Sequence, residues 1–340
     1  MRARVYFAMV MAVVLMGALG VGPAMAEKAI KLTYANFPPA PTFPCVQMER
    51  WKAEVEKRTN GKVAVQTFPG GTLLGAMNMF DGVVAGQADI GCFAMSYHPG
   101  RFPTVEAVDL PVGWPNATVA SLVLHDLYQK YEPEPFKQVK VLTVFTCPPA
   151  NIMSTKPVRT LDDFKGLRIR ATGTGVKVLE LLGATPVGMP QSDVPDALHK
   201  GLLDGMASSL EIMKDFNFAE YCRYVTMTNL QVVTFGVVMN RKAWDSLPDD
   251  VKKVMDGMRK EQTEWTGRYV DGHVNEAIAW SKEKYKVEVI ELSSAEKTKM
   301  QERLSPLVDD YIQRAGSRVP AAEIIKDVMA LKAKYSAQMK

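Results

Sequence analysis

The stretch from Asp249 to Lys284 contains no proline and has the composition of a helix throughout. At a rise of about 1.5 Å per residue, a continuous helix of this length would extend about 54 Å. That length exceeds the span of one small domain. We therefore predict a single long helix that follows Pro248 and spans two lobes of the protein.

Segments with strand and helix patterns alternate along most of the chain before this helix. Strands are predicted at 30–35, 62–68 and 140–146, with helices at about 45–58 and 76–85. Alternation at this spacing is typical of βαβ units, with helices on both faces of a sheet. The apolar segment 226–240 is long enough to cross between two sheets as one strand. The predicted fold class is therefore α/β, with two lobes and mixed sheets.

The N-terminus has the pattern of a secretory signal peptide. Arg2 and Arg4 precede an uncharged apolar run from Val5 to Gly22, and Ala24-Met25-Ala26 supplies the small residues that signal peptidase accepts. We predict cleavage after Ala26, with an uncleaved membrane anchor as the alternative. The mature protein is then exported and long enough for about two domains.

Charge and cysteine content exclude some classes of partner and leave others open. The formal net charge is +4, which is milder than the clustered positive charge of nucleic-acid-binding proteins, so no nucleic acid partner is predicted. In an oxidising compartment the cysteines could form disulfides or remain buried thiols, and the sequence does not choose between these. They are Cys45, Cys92, Cys147 and Cys222. No cluster of cysteine and histidine has zinc spacing, and neither a metal nor a cofactor is predicted.

The segment GLRIRATGTG, residues 166–175, places two arginines between a predicted strand and a predicted helix. A nucleotide loop is disfavoured, because the third glycine of the dinucleotide fingerprint is missing and no GxxxxGK[ST] occurs. Arg170 lies nearest the carboxyl end of the strand, where ligands bind in such sheets. A guanidinium can bind a carboxylate through two charge-assisted hydrogen bonds. An anion clamp and a pair of solvated arginines, Arg168 and Arg170, are both open on these grounds alone.

Five further runs occur in order along the chain: GKVAVQTFPGGTLLG, VVAGQADIG, KPVRTLDDFKGLRIR, LLGATPVGMPQSDVPDALHKGLLDG and VVMNRKAWDSLP. Together they resemble the DctP-type solute-binding receptors of tripartite ATP-independent periplasmic (TRAP) transporters, over nearly the whole mature chain. The resemblance implies a periplasmic binding protein whose partners are a small organic anion and the membrane subunits of the transporter. It also implies that Arg170 forms a salt bridge with the ligand's carboxylate, which leaves Arg168 structural or exposed to solvent.

Two positions depart from the sialic-acid-binding members of that family. Where those members have a second ligand arginine, this chain has Pro149-Ala150-Asn151. Where they have an asparagine after Gly205, it has Met206-Ala207-Ser208-Ser209. The site has therefore lost a charge and gained hydroxyl groups. We expect a compact monoanion, with a 2-oxo or 2-hydroxy monocarboxylate as first choice and a short sulfonate such as isethionate as the alternative.

The other predicted ligand contacts are polar or aromatic residues near the carboxyl ends of strands. They are Asn36, Phe37, Tyr97, Asn151, Thr172, Ser208, Ser209, Thr234 and Phe235. Turn chemistry is the alternative role for Asn36, and core packing is the alternative for Phe235.

An exported hydrolase is the enzyme alternative, and a sensor input domain is a further one. A hydrolase needs an activated nucleophile or paired carboxylates, and the sequence has no GxSxG, HExxH or SxxK motif. The acidic pairs Asp162-Asp163 and Asp249-Asp250 begin predicted helices, where carboxylates stabilise the first turn. We therefore predict a receptor and no enzyme.

The predicted organisation assigns each part of the chain to a lobe. The signal peptide is 1–26, lobe I is 27–147 with 233–272, lobe II is 148–232 with 273–320, and 321–340 is a C-terminal helix. We expect a monomer in which the ligand bridges both lobes and favours a closed form by hinge motion.

Overall fold

The computed structural model describes residues 28–339, so the predicted signal peptide lies outside the described residues. Two sheets form the frame of the molecule. Their strands are β1 (Ile30–Asn36), β2 (Val63–Phe68), β3 (Ile90–Ala94), β4 (Val139–Thr146), β5 (Asn151–Ser154), β6 (Arg168–Ala171), β7 (Thr185–Gly188), β8 (Gly205–Ser208), β9 (Tyr224–Met227), β10 (Thr234–Asn240) and β11 (Glu288–Glu291).

Helices cover both sheets, as the alternating pattern predicted. They are α1 (Phe43–Arg58), α2 (Met79–Val84), α3 (Pro103–Glu106), α4 (Ala117–Tyr131), α5 (Thr174–Leu182), α6 (Val194–His199), α7 (Ile212–Asp215), α8 (Arg241–Asp245), α9 (Asp249–Tyr285), α10 (Ser294–Leu304), α11 (Pro306–Ala315) and α12 (Ala321–Gln338).

Both sheets are mixed. The first has five strands in the order β2-β1-β3-β10-β4, with β10 antiparallel to both of its neighbours. The second has six strands in the order β11-β9-β5-β8-β6-β7, and β6 is parallel to both β7 and β8. We call the part built on the first sheet the first lobe and the part built on the second sheet the second lobe. The predicted two-lobed α/β fold is confirmed.

The prediction of one strand over 226–240 is wrong. The segment forms β9 in the second sheet and β10 in the first, and residues 228–233 between them belong to neither. The backbone of this connection pairs with the other connection between the lobes: Cys147 N–H donates to Val233 O, and Ala150 N–H donates to Gln231 O. Hydrogen bonds between these two crossing segments therefore stabilise the connection, where no continuous β-strand joins the two sheets.

The long helix is α9, and it has 37 residues. In the first lobe, Thr263 donates its hydroxyl to Val144 O at 2.8 Å, and Asp271 accepts the N–H of Ala117 at the start of α4. In the second lobe, Ile278 and Trp280 pack against the core of that lobe. The prediction of a helix that spans both lobes is confirmed.

The C-terminal helices pack on the first lobe. Tyr311 in α11 donates its hydroxyl to Pro103 O at 2.9 Å, and Tyr335 in α12 donates to Asp126 in α4 at 2.6 Å. Because α11 contacts the first lobe, the return of the chain to that lobe comes before residue 321. The lobe boundaries given above stay a prediction.

The four cysteines are buried free thiols. Between residues 28 and 339, no helix has the length and apolarity needed to cross a membrane. Over the same residues, no group of three or more acidic, histidine or cysteine side chains could hold a metal ion.

Candidate ligand-binding site

A cavity of about 60 Å³ lies between the two lobes. The second lobe contributes the ends of β6 and β8, and the first lobe contributes aromatic side chains that follow β1, β3 and the start of β10. The lobes touch beside the cavity, where Gln191 N–H donates to the Tyr97 hydroxyl at 3.0 Å and the Ser96 and Thr172 hydroxyls are 3.4 Å apart. The cleft is therefore closed over this site.

Arg170 is the charged group at the centre of the site. Its side chain lines the cavity and the residue is only 4% exposed. Nε donates to Met189 O at 2.9 Å, and Nη1 donates to Gln191 Oε1 at 2.7 Å. Within the described part of the chain, no carboxylate forms an ion pair with it. Burial lowers the pKa of Arg170 because the charged form loses its hydration.

Arg168, two residues earlier on β6, has a different environment. Its side chain is 43% exposed and pairs with Asp204 at 2.9 Å. The same guanidinium lowers the pKa of Asp204 below its usual value. Arg168 thus has its counterion within the protein, as a structural arginine does, whereas Arg170 has none.

Seven of the residues predicted to bind ligand line this one cavity. They are Phe37, Tyr97, Arg170, Thr172, Ser208, Ser209 and Phe235. These residues lie in or just after five strands, β1, β3, β6, β8 and β10, and come from both lobes. Whether each of them contacts a ligand stays a prediction.

The other three predicted residues, Asn36, Asn151 and Thr234, lie outside the cavity lining. Asn36 donates its amide to Pro44 O at 2.8 Å and so ties β1 to α1. Asn151 accepts the N–H groups of Thr228 and Asn229 and stabilises the crossing between the lobes. Thr234 bonds through its backbone N–H to buried Asp109 at 3.1 Å.

Sequence reasoning missed several cavity residues. Gln191, Glu211 and Asp215 are polar, and Phe43 and Phe216 add to the aromatic walls. Gln191 follows β7, which is paired with the arginine strand, so its position at the same sheet edge was a usable signal. Glu211 was also detectable, as a charged residue in the otherwise apolar run after Ser209.

The walls of the cavity are largely aromatic on the first-lobe side. The rings of Phe37 and Phe235 stack with centroids 6.4 Å apart, and Phe43 meets Phe235 edge-on at 5.9 Å. Tyr97 lies 5.5 Å from Phe37 by centroid. Such walls exclude water, which strengthens any hydrogen bond that a ligand forms with Arg170.

A larger cavity of about 740 Å³ adjoins the first and shares Tyr97 and Thr172 with it. Charged residues that include Asp310 and Arg314 of α11 line its outer part. The geometry therefore offers a small inner site with one arginine and a larger adjoining space between the lobes.

Comparison with known proteins agrees with this geometry. Residues 38–314 match the family model of the bacterial extracellular solute-binding protein, family 7, named DctP. The C4-dicarboxylate-binding periplasmic protein DctP of Rhodobacter capsulatus is 27% identical over 328 residues, which cover 94% of this chain and 97% of that protein.

Solved structures resemble the chain over most of its length. A TRAP periplasmic solute-binding protein of Desulfovibrio salexigens, described as an open complex with the C-terminus of a symmetry mate in its ligand-binding site, is 55% identical with a TM-score of 0.81. The match covers 90% of this chain and 96% of that one. A marine metagenome TRAP protein specific for aromatic acid ligands, in complex with 3-hydroxybenzoate, is 31% identical with a TM-score of 0.86, covering 90% and 99%. The chain belongs to family 7 of the bacterial extracellular solute-binding proteins, the DctP-type receptors of TRAP transporters, and is a receptor and not an enzyme.

Proposed function

We propose that this receptor captures a small monocarboxylate, of the 2-oxo or 2-hydroxy type, and delivers it to the membrane subunits of its transporter. The observation that carries the proposal is Arg170, a buried arginine that faces a cavity and has no carboxylate partner among residues 28–339. A buried charge without a counterion is costly. A ligand carboxylate would supply that counterion.

The surroundings of Arg170 support one carboxylate and no second one. Gln191 Nε2 is buried without a hydrogen-bond partner and lies in the same cavity, so it offers a neutral donor beside the guanidinium. The other charged side chains of the cavity are Glu211 and Asp215, which would repel a second carboxylate. A monoanion therefore fits this site better than a dicarboxylate.

The apolar walls favour a ligand with a compact hydrocarbon part. At about 60 Å³ the cavity is small, so the acid requires the lobes to separate further than they do here. The marine metagenome relative binds aromatic acids that carry one carboxylate, namely 3-hydroxybenzoate and metahydroxyphenylacetate. That ligand class agrees with the phenylalanine-lined cavity of this chain.

Hinge closure is the proposed mechanism. The Desulfovibrio protein, described as open, has the higher identity but superposes less well than the marine metagenome protein. This order is expected if the lobes of the open protein are rotated relative to the closed cleft of this chain. A ligand that contacts both lobes would favour the closed form in proportion to its preference for that form.

We expect saturating ligand to reduce the radius of gyration without a change in helix content. The ligand joins the lobes, while the crossing segments and α9 keep their secondary structure. Mass spectrometry of acids that co-purify with the protein would identify a ligand for this experiment. Small-angle X-ray scattering then measures the compaction, and circular dichroism measures the helix content.

Arg170→Ala is the matched control, because it removes the carboxylate's partner and should abolish the compaction at the same ligand concentration. An unchanged radius of gyration for the unmodified protein, with binding verified by calorimetry, would contradict the hinge mechanism. Failure of every monocarboxylate to bind would contradict the proposed function itself.

A further inference from the structure

Two acidic side chains in the cavity have oxygens that no protein group satisfies. Glu211 is 1% exposed, and its Oε1 accepts the hydroxyl of Ser209 at 2.6 Å. Its Oε2 is buried and without a hydrogen-bond partner in the described chain. Because a buried acceptor without a hydrogen bond loses its hydration and gains nothing in return, this oxygen destabilises the protein if Glu211 has only a structural role.

Asp215 has the same arrangement. Its side chain is 4% exposed, and Oδ1 lies 2.7 Å from Nε2 of His273 in α9. Its Oδ2 is buried and lacks a partner between residues 28 and 339. Glu211 and Asp215 both line the cavity, and each has one buried oxygen without a hydrogen-bond partner among residues 28–339.

The unpaired groups of the cavity fall into two chemical kinds. Arg170 and Gln191 offer donors, and they are joined to each other by a 2.7 Å hydrogen bond. Glu211 and Asp215 offer acceptors, and each is fixed by a neighbour other than Arg170, namely Ser209 and His273. A ligand that satisfies the site therefore needs an acceptor group for the first pair and a donor group for the second.

Burial without a counterion also raises the pKa of Glu211 to about 7. A donor from the ligand would stabilise the ionised form, because a hydrogen bond to a charged acceptor favours the charge. A ligand that donates a hydrogen bond would therefore stabilise the ionised Glu211 side chain, and an apolar ligand group would not.

We propose that Glu211 and Asp215 accept a hydrogen bond from an O–H or N–H donor of the ligand, and that this receptor therefore selects acids that carry a hydroxyl or amino group. This inference rests on the proposed function, in which Arg170 holds the carboxylate. It narrows that function, since a 2-oxo acid offers only acceptors and would leave both acidic oxygens unsatisfied.

Calorimetry with matched acids tests the selection. The first set is mandelate, phenylglycine, phenylacetate and phenylglyoxylate; the second is 3-hydroxybenzoate, 3-aminobenzoate and benzoate; the third is lactate, alanine, propionate and pyruvate. In the set that fits the cavity, we expect the hydroxyl or amino member to bind at least tenfold tighter than its partners without a donor. The stronger of those two members identifies the donor as O–H or N–H.

The variant Glu211→Gln makes the test specific to the acceptor. In the unmodified protein the Ser209 hydroxyl donates to Oε1 of Glu211. The same hydrogen bond would hold the amide oxygen of the glutamine in that position, so the amide nitrogen would take the place of Oε2. The acceptor then becomes a donor, and the preference for the hydroxyl acid over the 2-oxo acid should fall at least tenfold. Asp215→Asn should act in the same direction, because His273 holds its oxygen in place.

Controls separate this inference from the proposed function. Glu220→Gln changes the same chemistry at an exposed site and should keep the preference of the unmodified protein. Retained binding by Glu211→Gln of the acid that carries neither a donor nor an oxo group would show that the variant is folded and that Arg170 still holds the carboxylate. Equal binding of acids with and without a donor would overturn the inference while leaving the monocarboxylate function intact. Failure of all these acids to bind would contradict both.

Discussion

Arg170→Ala is expected to weaken ligand binding on the order of 100-fold or more, which corresponds to a loss of about 3 kcal/mol. The cavity contains no second cation among the described residues, so no other charged group replaces the lost partner of the carboxylate. Arg170→Lys should also bind poorly, because an ammonium group cannot form the two parallel hydrogen bonds of a guanidinium. Isothermal titration calorimetry with the co-purified acid measures both changes.

Arg168→Ala is the matched control for this prediction. It removes an arginine from the same strand, but one that pairs with Asp204 outside the cavity. Its affinity should stay within about twofold of the unmodified protein, since exposed ion pairs contribute at most about 1 kcal/mol. If Arg168→Ala were the damaging change and Arg170→Ala were mild, the assignment of the clamp to Arg170 would be wrong.

Gly267→Ala is expected to lower the free energy of unfolding by about 2 kcal/mol or more, through overpacking between α9 and α4. A Cβ atom at this position would lie 2.6 Å from Thr118 Cα and 3.0 Å from Thr118 N, both of which are backbone atoms. One turn further along α9, Asp271 accepts the N–H groups of Ala117 and Thr118, so displacement of the helix would also loosen this cap. Denaturant unfolding followed by circular dichroism gives the change.

The same helix contains two matched controls. At Gly257 and Gly272, an added Cβ would have no atom within 4 Å. Alanine at either position should therefore stabilise the protein by about 0.5–1 kcal/mol through its higher helix propensity. A neutral or stabilising Gly267→Ala would mean that the two helices do not pack as closely as the structure shows.

The parts of the fold that repeat a simple period were predictable from sequence. Proline-free composition predicted α9 to within one residue, and alternating strands and helices predicted both sheets. The break after Met227 was missed, because the apolar residues of 230–233 run directly into the strand that follows, although Thr228 and Asn229 interrupt the apolar pattern. It arises from pairing with residues 147–150, which are distant in sequence.

The candidate site likewise contains residues that were predictable from sequence and residues that were not. Arg170 was predicted through family resemblance, since the residues alone left an anion clamp and a pair of solvated arginines both open. Positions at strand ends predicted several residues that line the cavity, but they did not predict the direction of each side chain. Asn151, for example, accepts a hydrogen bond from the crossing segment between the lobes. Glu211 and Asp215 come from the turn after β8 and from α7, where no periodic pattern marks a residue that faces the cleft.

When the chain emerges with its N-terminus first, the position of β10 between β3 and β4 affects the order in which the two lobes can fold. The first sheet lacks an inner strand until residue 240 is available, which leaves β3 and β4 with unpaired edges. The second sheet has its inner strands β9, β5, β8 and β6 once residue 227 has emerged, and then lacks only the edge strand β11. We therefore expect the second lobe to acquire protection from hydrogen exchange before the first as the chain emerges during export. The lobe that begins the chain is the later one to acquire all of its inner strands.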